Sequence, residues 1–306
     1  MSEFLLTTQS LSKKYGGKFA LNDVSAHVKR GEIYGLIGRN GAGKTTLLKI
    51  ITRQIRATAG DVTVAGASVK GGKCGLLMGA LVETPSMYPD CTAEENLIYK
   101  CIALNIKDRR KHIKELLDIV DLASTGKKKT RQFSLGMKQR LGLALALVGR
   151  PEMLLLDEPI NGMDPQGIAG IREMLIRLNR EEGTTIIISS HILDELAKFA
   201  TSYGIIKDGE LLKEFSRDEL AGASLSSIVI RSPEMPRVLD VLKEKMDLDN
   251  LKPGEDGALI LRDSVGSHRV ISRLLFDEGI YVEEFFVRQR SLEDYFMLLT
   301  GGAEHA

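Results

Sequence analysis

The sequence contains no tryptophan and only three cysteines among its 306 residues. Cys74, Cys91 and Cys101 are odd in number and lack the spacing of a metal site, so we expect reduced thiols in a cytosolic protein. No window is long and apolar enough to span a bilayer, and the first residues lack the basic and apolar pattern of a signal peptide. Any task at a membrane is therefore expected to need a partner.

An excess of charge of one sign is also lacking, since 42 basic and 41 acidic residues leave a net charge of +1. That balance gives no support for nucleic-acid binding, and the basic run Lys127–Lys129 is interpreted as a solvated loop. The composition that is present, 43% hydrophobic and 27% charged, is typical of a globular protein. The length allows one large domain, or a medium domain followed by a small one.

Short apolar strand patterns alternate with helical patterns along the first two thirds of the chain. Strands predicted at Glu32–Ile37, Met153–Leu156 and Thr184–Ser189 indicate a parallel sheet covered by helices. Residues from about 86 to 149 have a helical pattern, which opens with a predicted capping box of Thr92 and Glu95. The fold class is therefore predicted to be α/β, with an inserted helical subdomain and a first domain over residues 1–219.

The pattern changes in residues 220–306. Four stretches have strand patterns and three have helical patterns, with strands at Leu225–Arg231, Leu251–Lys252, Ala258–Arg262 and Tyr281–Val287, and helices at Arg237–Lys245, Arg269–Phe276 and Leu292–Leu299. The order βαββαβ predicts a small α+β domain of the ferredoxin-like type, followed by a helix. Because it has no recognisable ligand motif, a packing or dimer-stabilising role is preferred over a regulatory sensor.

The strongest motif is a glycine-rich phosphate loop that satisfies G-x-x-x-x-G-K-[ST], namely Gly38-Arg39-Asn40-Gly41-Ala42-Gly43-Lys44-Thr45. An apolar strand precedes it and a helical pattern from Thr46 follows, which disfavours a chance glycine turn. The glycines allow consecutive backbone N–H groups to point at phosphates, next to a helix N-terminus. We predict that residues 38–46 bind ATP, with Lys44 on the outer phosphates and the Thr45 hydroxyl on Mg²⁺.

A second motif is the strand Met153–Leu156, which ends in Asp157-Glu158-Pro159. Acids at the carboxyl edge of a parallel sheet lie where such folds bind ligands. Asp157 is expected to hold Mg²⁺ and Glu158 to act as the base that polarises the attacking water. The alternative is a helix N-terminus whose acids favour the dipole, and the phosphate loop makes it the weaker interpretation.

A third segment, Phe133-Ser134-Leu135-Gly136-Met137, precedes an apolar helix, and Ser189-Ser190-His191 follows a core strand. With the two motifs above in this order, the chain resembles the ATP-binding cassette (ABC) ATPases over about residues 5–215. The signature of that family is Leu-Ser-Gly-Gly-Gln, so this chain keeps only Ser134 and Gly136. The resemblance implies that these two contact the γ-phosphate of ATP bound by a second subunit.

The resemblance also implies roles for single residues. Tyr15 would stack on adenine, Asp164 would be the acid of a loop that crosses the dimer interface, and His191 would contact the γ-phosphate; structural roles are the alternatives for Tyr15 and His191. Glu83 stands where many cassettes have glutamine, and its carboxylate could ligate Mg²⁺ or orient water. The expected catalytic residues are Glu158, His191, Lys44 and Glu83, and the expected Mg²⁺ ligands are Thr45, Glu83 and Asp157.

Glu83, the Phe-Ser-Leu-Gly-Met segment and the ending Ser291-Leu292-Glu293-Asp294-Tyr295-Phe296 resemble bacitracin-resistance and lantibiotic-immunity exporters. This implies an ATPase subunit, peripheral at the cytoplasmic face of the membrane, that powers permease subunits in a separate chain. It would act as a homodimer, or as paired ATPase subunits, with ATP at the interface and no nucleic-acid partner. The alternatives are another cargo, or a permease-independent ABC ATPase acting on DNA or ribosomes; the latter usually has a second cassette, a coiled-coil arm or a zinc hook.

Overall fold

The computed structural model describes residues 3–71, 76–222, 227–246, 248, 251, 253–254, 257–262, 267–288 and 292–300. It divides into two compact units, Met1–Ser216 and Arg217–Ala306. No helix in these described ranges is both long enough and apolar enough to cross a membrane.

The first unit has two sheets and helices around them. Its strands are β1 (Phe4–Tyr15), β2 (Lys18–Val24), β3 (His27–Lys29), β4 (Ile33–Ile37), β5 (Ala59–Val64), β6 (Ala67–Ser68), β7 (Met78–Leu81), β8 (Met153–Asp157), β9 (Thr185–Ser190), β10 (Ser202–Lys207) and β11 (Glu210–Ser216). Its α-helices are α1 (Lys44–Ile51), α2 (Ala93–Ala103), α3 (Arg109–Ile119), α4 (Leu135–Leu147), α5 (Pro165–Glu182) and α6 (Leu193–Ala197).

The central sheet has the strand order β11-β10-β4-β9-β8-β7. All its neighbouring pairs are parallel except β10 with β11. Strands β4, β8 and β9 are buried at every residue, as expected for apolar strands covered on both faces. The predicted α/β class is confirmed, and the carboxyl ends of five parallel strands, β10, β4, β9, β8 and β7, meet along one edge of the sheet.

The second sheet of this unit is antiparallel, with the order β2-β1-β5-β6 and β3 paired to β1. Helix α1 contacts β2 of this sheet and β8 of the central sheet. Leu6, Leu36, Leu48 and Leu155, from β1, β4, α1 and β8, belong to one buried cluster. The segment between β4 and α1 is therefore held by a core that both sheets share.

Helices α2, α3 and α4 separate the adjacent strands β7 and β8 in the sequence. The predicted capping box at the start of α2 is confirmed, because the Thr92 side chain accepts the Glu95 N–H and the Glu95 side chain accepts the Thr92 N–H. Reciprocal capping of this kind satisfies two backbone donors that a helix start leaves free. Helix α4 carries an apolar run, Leu141–Leu147, that is buried along most of its length.

The second unit contains α7 (Arg217–Gly222), β12 (Ser227–Arg231), α8 (Met235–Met246), β13 (Leu259–Arg262), α9 (His268–Asp277), β14 (Glu284–Arg288) and α10 (Leu292–Thr300). The sheet order is β13-β12-β14, and both pairs are antiparallel. Of the strand predicted at Leu251–Lys252, Leu251 has no regular structure and Lys252 lies outside the described residues. Side chains of β12, β13, α8 and α9 form the core of this unit.

Candidate functional site

The phosphate loop joins the carboxyl end of β4 to α1. Gly41 and Gly43 have φ values of 83° and 112°, which side chains with a Cβ rarely adopt. A Cβ on Gly43 would lie 2.7 Å from the carbonyl oxygen of Ala20, so the loop also packs against β2. The Lys44 side chain is buried and donates to the Gly38 carbonyl at 2.6 Å. The loop is thus a tight turn with a buried ammonium group at the start of a helix.

A cleft opens over this loop. It is lined by Ala20, Arg39, Asn40, Gly41, Gly43, Lys44, Thr45, Thr46 and Glu158. Gly38 lies behind the lining, where a Cβ would meet the Ile206 carbonyl oxygen at 2.5 Å, so its role in the loop is close packing. The backbone of the loop and the start of α1 therefore line the cleft, together with Glu158, which follows β8. The loop N–H groups and the helix N-terminus suit a phosphate group.

Asp157, the last residue of β8, is buried and accepts two hydroxyl hydrogen bonds. Thr45 Oγ1 donates to Oδ2 at 2.7 Å, and Ser189 Oγ donates to Oδ1 at 2.6 Å. Because the carboxylate and the Thr45 hydroxyl are hard oxygen ligands at the rim of a phosphate cleft, they fit Mg²⁺. No group of three or more His, Cys, Asp or Glu in the described residues could hold a metal ion by itself. An ion bound here would need oxygens from phosphate or water.

Glu158 follows Asp157 and adopts a left-handed backbone conformation with φ of 48°. Its N–H donates to the Ser189 carbonyl and to the Ser189 hydroxyl, which holds the turn to the neighbouring strand β9. This turn places the Glu158 side chain between Lys44 Nζ, 3.1 Å from Oε1, and His191 Nδ1, 2.8 Å from Oε2. Oε1 is buried and has an ion-pair distance to Lys44 without hydrogen-bond geometry. Within the described residues that oxygen accepts no hydrogen bond, so it keeps the acceptor capacity that a water-activating carboxylate needs.

Glu83 lies two residues after the end of β7, also with a left-handed backbone at φ of 61°. Its carboxylate forms an ion pair with Lys49 of α1, at 2.5 Å between Oε1 and Nζ. Within the described part of the chain, this contact is with Lys49 and not with Thr45 or Asp157. The structure therefore places Glu83 next to the helix of the phosphate loop, while the cleft lining does not include it.

Tyr15 is the last residue of β1, and its side chain is half exposed outside the cleft lining. Lys13 Nζ lies 4.9 Å from the ring centroid, so one face of the ring has a cation over it. The same ammonium group donates to the Arg56 carbonyl at 2.7 Å, which links the ring indirectly to the segment after α1. A base could therefore stack only on the opposite face.

Ser134 and Asp164 are the N-cap residues of α4 and α5. The Ser134 hydroxyl accepts the Met137 N–H at 3.2 Å, and the Asp164 carboxylate accepts the Gly167 N–H at 2.7 Å. Gly136 lies in the first turn of α4, where a Cβ would come within 3.5 Å of the Met163 side chain. Neither Ser134 nor Gly136 lines the cleft of their own chain, so a contact with nucleotide would have to be made with another molecule.

Ala20, Lys49 and Ser189 have contacts to this site that the sequence analysis did not assign. Each lies on an element far along the chain from the group it contacts, so no local spacing indicates it. Ser189 does carry a signal in Ser189-Ser190-His191, because a hydroxyl at the end of a buried strand needs a polar partner. Lys49 and Ala20 have no such signal.

Known proteins with similar sequences are ATP-binding proteins of transporters. The family model for the ABC transporter matches residues 21–161. An uncharacterised ABC transporter ATP-binding protein, YcbN of Bacillus subtilis (strain 168), is 38% identical, and the match covers 98% of both chains. The bacitracin transport ATP-binding protein BcrA of Bacillus licheniformis is 36% identical over 97% of this chain and 98% of its own length. The lantibiotic transport ATP-binding protein SrtF of Streptococcus pyogenes is 39% identical over 70% of this chain and 92% of its own.

A solved structure with a similar fold is the ATP-binding cassette MJ0796, described as a dimeric post-hydrolysis state bound to ADP and Pi. It is 26% identical, with a TM-score of 0.63, and the match covers 69% of this chain and 98% of that one. The covered share corresponds in extent to the cassette alone, whereas YcbN and BcrA match nearly the whole chain.

Proposed function

This chain belongs to the ABC transporter family as an ATP-binding subunit that hydrolyses ATP, and from that premise we propose that it powers a separate permease exporting a peptide antibiotic of the bacitracin or lantibiotic type. Similarity to BcrA over 97% of the chain supports this cargo, because the match extends through the second unit. The arrangement of Glu158 between Lys44 and His191, facing the phosphate loop, is the observation that carries the chemistry.

Mg²⁺ is proposed to accompany ATP, with the Thr45 hydroxyl and Asp157 as the protein groups near it. The ion would neutralise charge on the outer phosphates and orient them. The Ser189 hydroxyl fixes the second oxygen of Asp157, so the carboxylate has one defined orientation toward Thr45. Glu83 is proposed to reach the metal or a water molecule only after its carboxylate leaves Lys49.

The reaction needs a base that is held in place and a cation that stabilises phosphate charge. Glu158 accepts a proton from the attacking water, and its two contacts, with Lys44 and His191, fix the orientation of the carboxylate. The Lys44 ammonium group is held at the phosphate loop by the Gly38 carbonyl. Its charge therefore lies where the outer phosphates would bind. His191 is proposed to touch the γ-phosphate.

Two copies of the chain are proposed to enclose ATP between the phosphate loop of one and the start of α4 of the other. The N-terminus of α4, with Ser134 as its cap and Gly136 in its first turn, offers backbone donors and a positive helix end. The dimeric state described for the similar cassette MJ0796 supports this arrangement.

Tyr15 is proposed to stack on adenine. The site of action would be the cytoplasmic face of the membrane, next to permease subunits in a separate chain.

The test is export in cells that carry this chain together with a candidate permease. Expression of both should raise tolerance to bacitracin or to a lantibiotic, and Glu158→Gln in the same chain should abolish the increase. The permease expressed with the Glu158→Gln chain is the control for membrane stress. Unchanged tolerance to both antibiotic classes, with ATPase activity intact, would remove the cargo from the proposal.

A further inference from the structure

Strand β14 lies at one side of the three-stranded sheet in the second unit. Among the described residues it pairs with β12 alone, so its other side carries backbone groups with no strand partner there. Side chains alternate along it: Phe285 packs against the core of the unit, while Glu284, Phe286 and Arg288 are exposed on the opposite face. An exposed edge of this kind readily accepts another strand.

The apolar residue at the centre of this edge is exposed. Phe286 is 46% exposed, whereas Val229, its cross-strand neighbour on β12, is buried. On this face of the sheet, β12 is therefore covered at Val229, whereas β14 is exposed at Phe286. Edge strands that stay unpaired usually carry lysine, proline or a bulge at such positions, and β14 has an aromatic ring there.

The exposed residues are complementary to themselves. If two β14 strands run antiparallel with Phe286 opposite Phe286 of the partner subunit, then Glu284 faces the partner's Arg288 and Arg288 faces the partner's Glu284. A shift by one residue would turn one strand's exposed side chains toward the opposite face and lose both charge pairs. A two-fold pairing of this type is isologous, so one strand serves as both donor and acceptor surface.

We propose that β14 pairs edge to edge with β14 of a second copy of this chain, in the register centred on Phe286. Charge within each chain supports that register. Arg231 of β12 forms an ion pair with Glu284, at 3.3 Å, while the cross-strand neighbour of Arg288 on β12 is the uncharged Ser227. Pairing would place the partner's Arg288 on the other side of Glu284, and Arg288 itself would gain an acidic neighbour.

This contact goes beyond the proposed function, because it requires neither ATP nor a permease. A five-residue strand pair is too small for a stable dimer by itself, since specific interfaces bury roughly 1,200 Å² or more. Its effect would come from coupling to a second contact. Once ATP joins two copies, pairing of their β14 strands is an intramolecular event with a high effective concentration. In the same way, paired β14 strands would favour the ATP-bound dimer.

The experiment traps weak pairs by cross-linking the full chain without nucleotide. Phe286→Cys is introduced into a background of Cys74→Ser, Cys91→Ser and Cys101→Ala, and a short bis-maleimide joins two chains. Phe276→Cys in the same background is the matched control, since Phe276 is 77% exposed but belongs to α9 and not to β14. We expect rapid cross-linking at position 286 and only collisional cross-linking at position 276.

Charge reversal then tests the register. Glu284→Arg alone and Arg288→Glu alone each create two like-charge pairs, and each should slow cross-linking at position 286 about tenfold. An equal mixture of the two variants restores complementary pairs, so cross-linking between unlike chains should return to within about twofold of the parent rate. Each variant keeps its own intrachain effects in the mixture, so misfolding cannot imitate the rescue.

Equal rates at positions 286 and 276, or no effect of either charge reversal, would overturn the proposal. Loss of cross-linking in both single variants without rescue in the mixture would overturn the register and with it the pairing. Repeating the series with ATP separates this contact from the nucleotide-driven dimer. If the nucleotide-driven dimer does not form, ATP leaves every cross-linking rate unchanged. The slowing by each charge reversal and the rescue in the mixture would still be observed.

Discussion

Two glutamates, Glu83 after β7 and Glu158 after β8, occupy equivalent backbone positions but have different surroundings. The strands are parallel neighbours, Leu81 pairs with Leu156, and an acid follows two residues later in each: Glu83 and Glu158. Both acids have left-handed backbones, with φ of 61° and 48°. The two positions are therefore equivalent in the sheet, and the backbone does not distinguish them.

The surroundings of the two acids differ. Glu158 follows a strand buried at every residue, its side chain is 19% exposed, and its two oxygens lie near Lys44 and His191. Glu83 follows the last strand of the sheet, its side chain is 57% exposed, and it contacts Lys49 of α1. Burial and partners, not residue type, distinguish the carboxylate that we propose as the base from the carboxylate that forms a more exposed ion pair.

The largest expected difference between them is in ATP turnover. Glu158→Gln should lower the rate at least about 100-fold, because an amide cannot accept the water proton. Glu83→Gln should lower it less than about tenfold, since an amide still offers an oxygen to water or metal. Phosphate release measures both rates, and binding of a fluorescent ATP analogue controls for loss of affinity. Equal losses at the two positions would contradict the assignment of Glu158 as the base.

The contact of His191 with Glu158 should matter less than the carboxylate itself. His191→Ala removes a charge-assisted hydrogen bond that orients the base, and we expect turnover to fall roughly tenfold with ATP binding retained. His268→Ala, in the second unit, is the matched control and should leave turnover unchanged. A His191→Ala variant with wild-type turnover would show that Lys44 alone is sufficient to orient Glu158.

The shared backbone conformation can be tested apart from the side chains. At each position the glycine and alanine variants both lack the carboxylate, but only glycine adopts positive φ without strain. Glu158→Gly should therefore be more stable than Glu158→Ala by about 1 kcal/mol, and the same difference should separate Glu83→Gly from Glu83→Ala. Urea unfolding measures these differences. A difference at one position only would mean that the two turns are not equivalent.

The smallest expected effect concerns the ion pair that distinguishes Glu83. Lys49→Met should lower the free energy of unfolding by less than about 1 kcal/mol, because the Glu83 carboxylate is largely solvated. In the Glu83→Gln background the same substitution should cost almost nothing, and salt should reduce the coupling. A coupling well above this value would indicate that Lys49 holds Glu83 more tightly than its exposure suggests.

Local features of the chain were predictable from residue types. The confirmed capping box of Thr92 and Glu95 depends on a spacing of three residues, and the α/β class follows from apolar strands alternating with helices. The phosphate loop is similar, since its glycines, Lys44 and Thr45 lie in one short segment whose physical requirements are local. Such features need no knowledge of what packs against them.

Contacts between distant segments were not predictable. The Ser189 hydroxyl meets Asp157 from 32 positions away, and Lys49 meets Glu83 from 34 positions away. Which pairs form depends on the strand order β9-β8-β7 and on where α1 crosses the sheet. The self-complementary edge of β14 likewise requires knowing that Phe285 packs inward and that β12 lies on one side only.

The sequence by itself determined the residue types that can bind phosphate, hold a metal and activate water, because loop, strand and cap propensities are set by neighbouring residues. Only the tertiary structure decided that Glu158 lies between Lys44 and His191 while Glu83 lies against Lys49. The physical reason is that burial and charge pairing are properties of the packed sheet: strand order brings remote segments within hydrogen-bond distance, and the same residue acquires its chemistry from those neighbours.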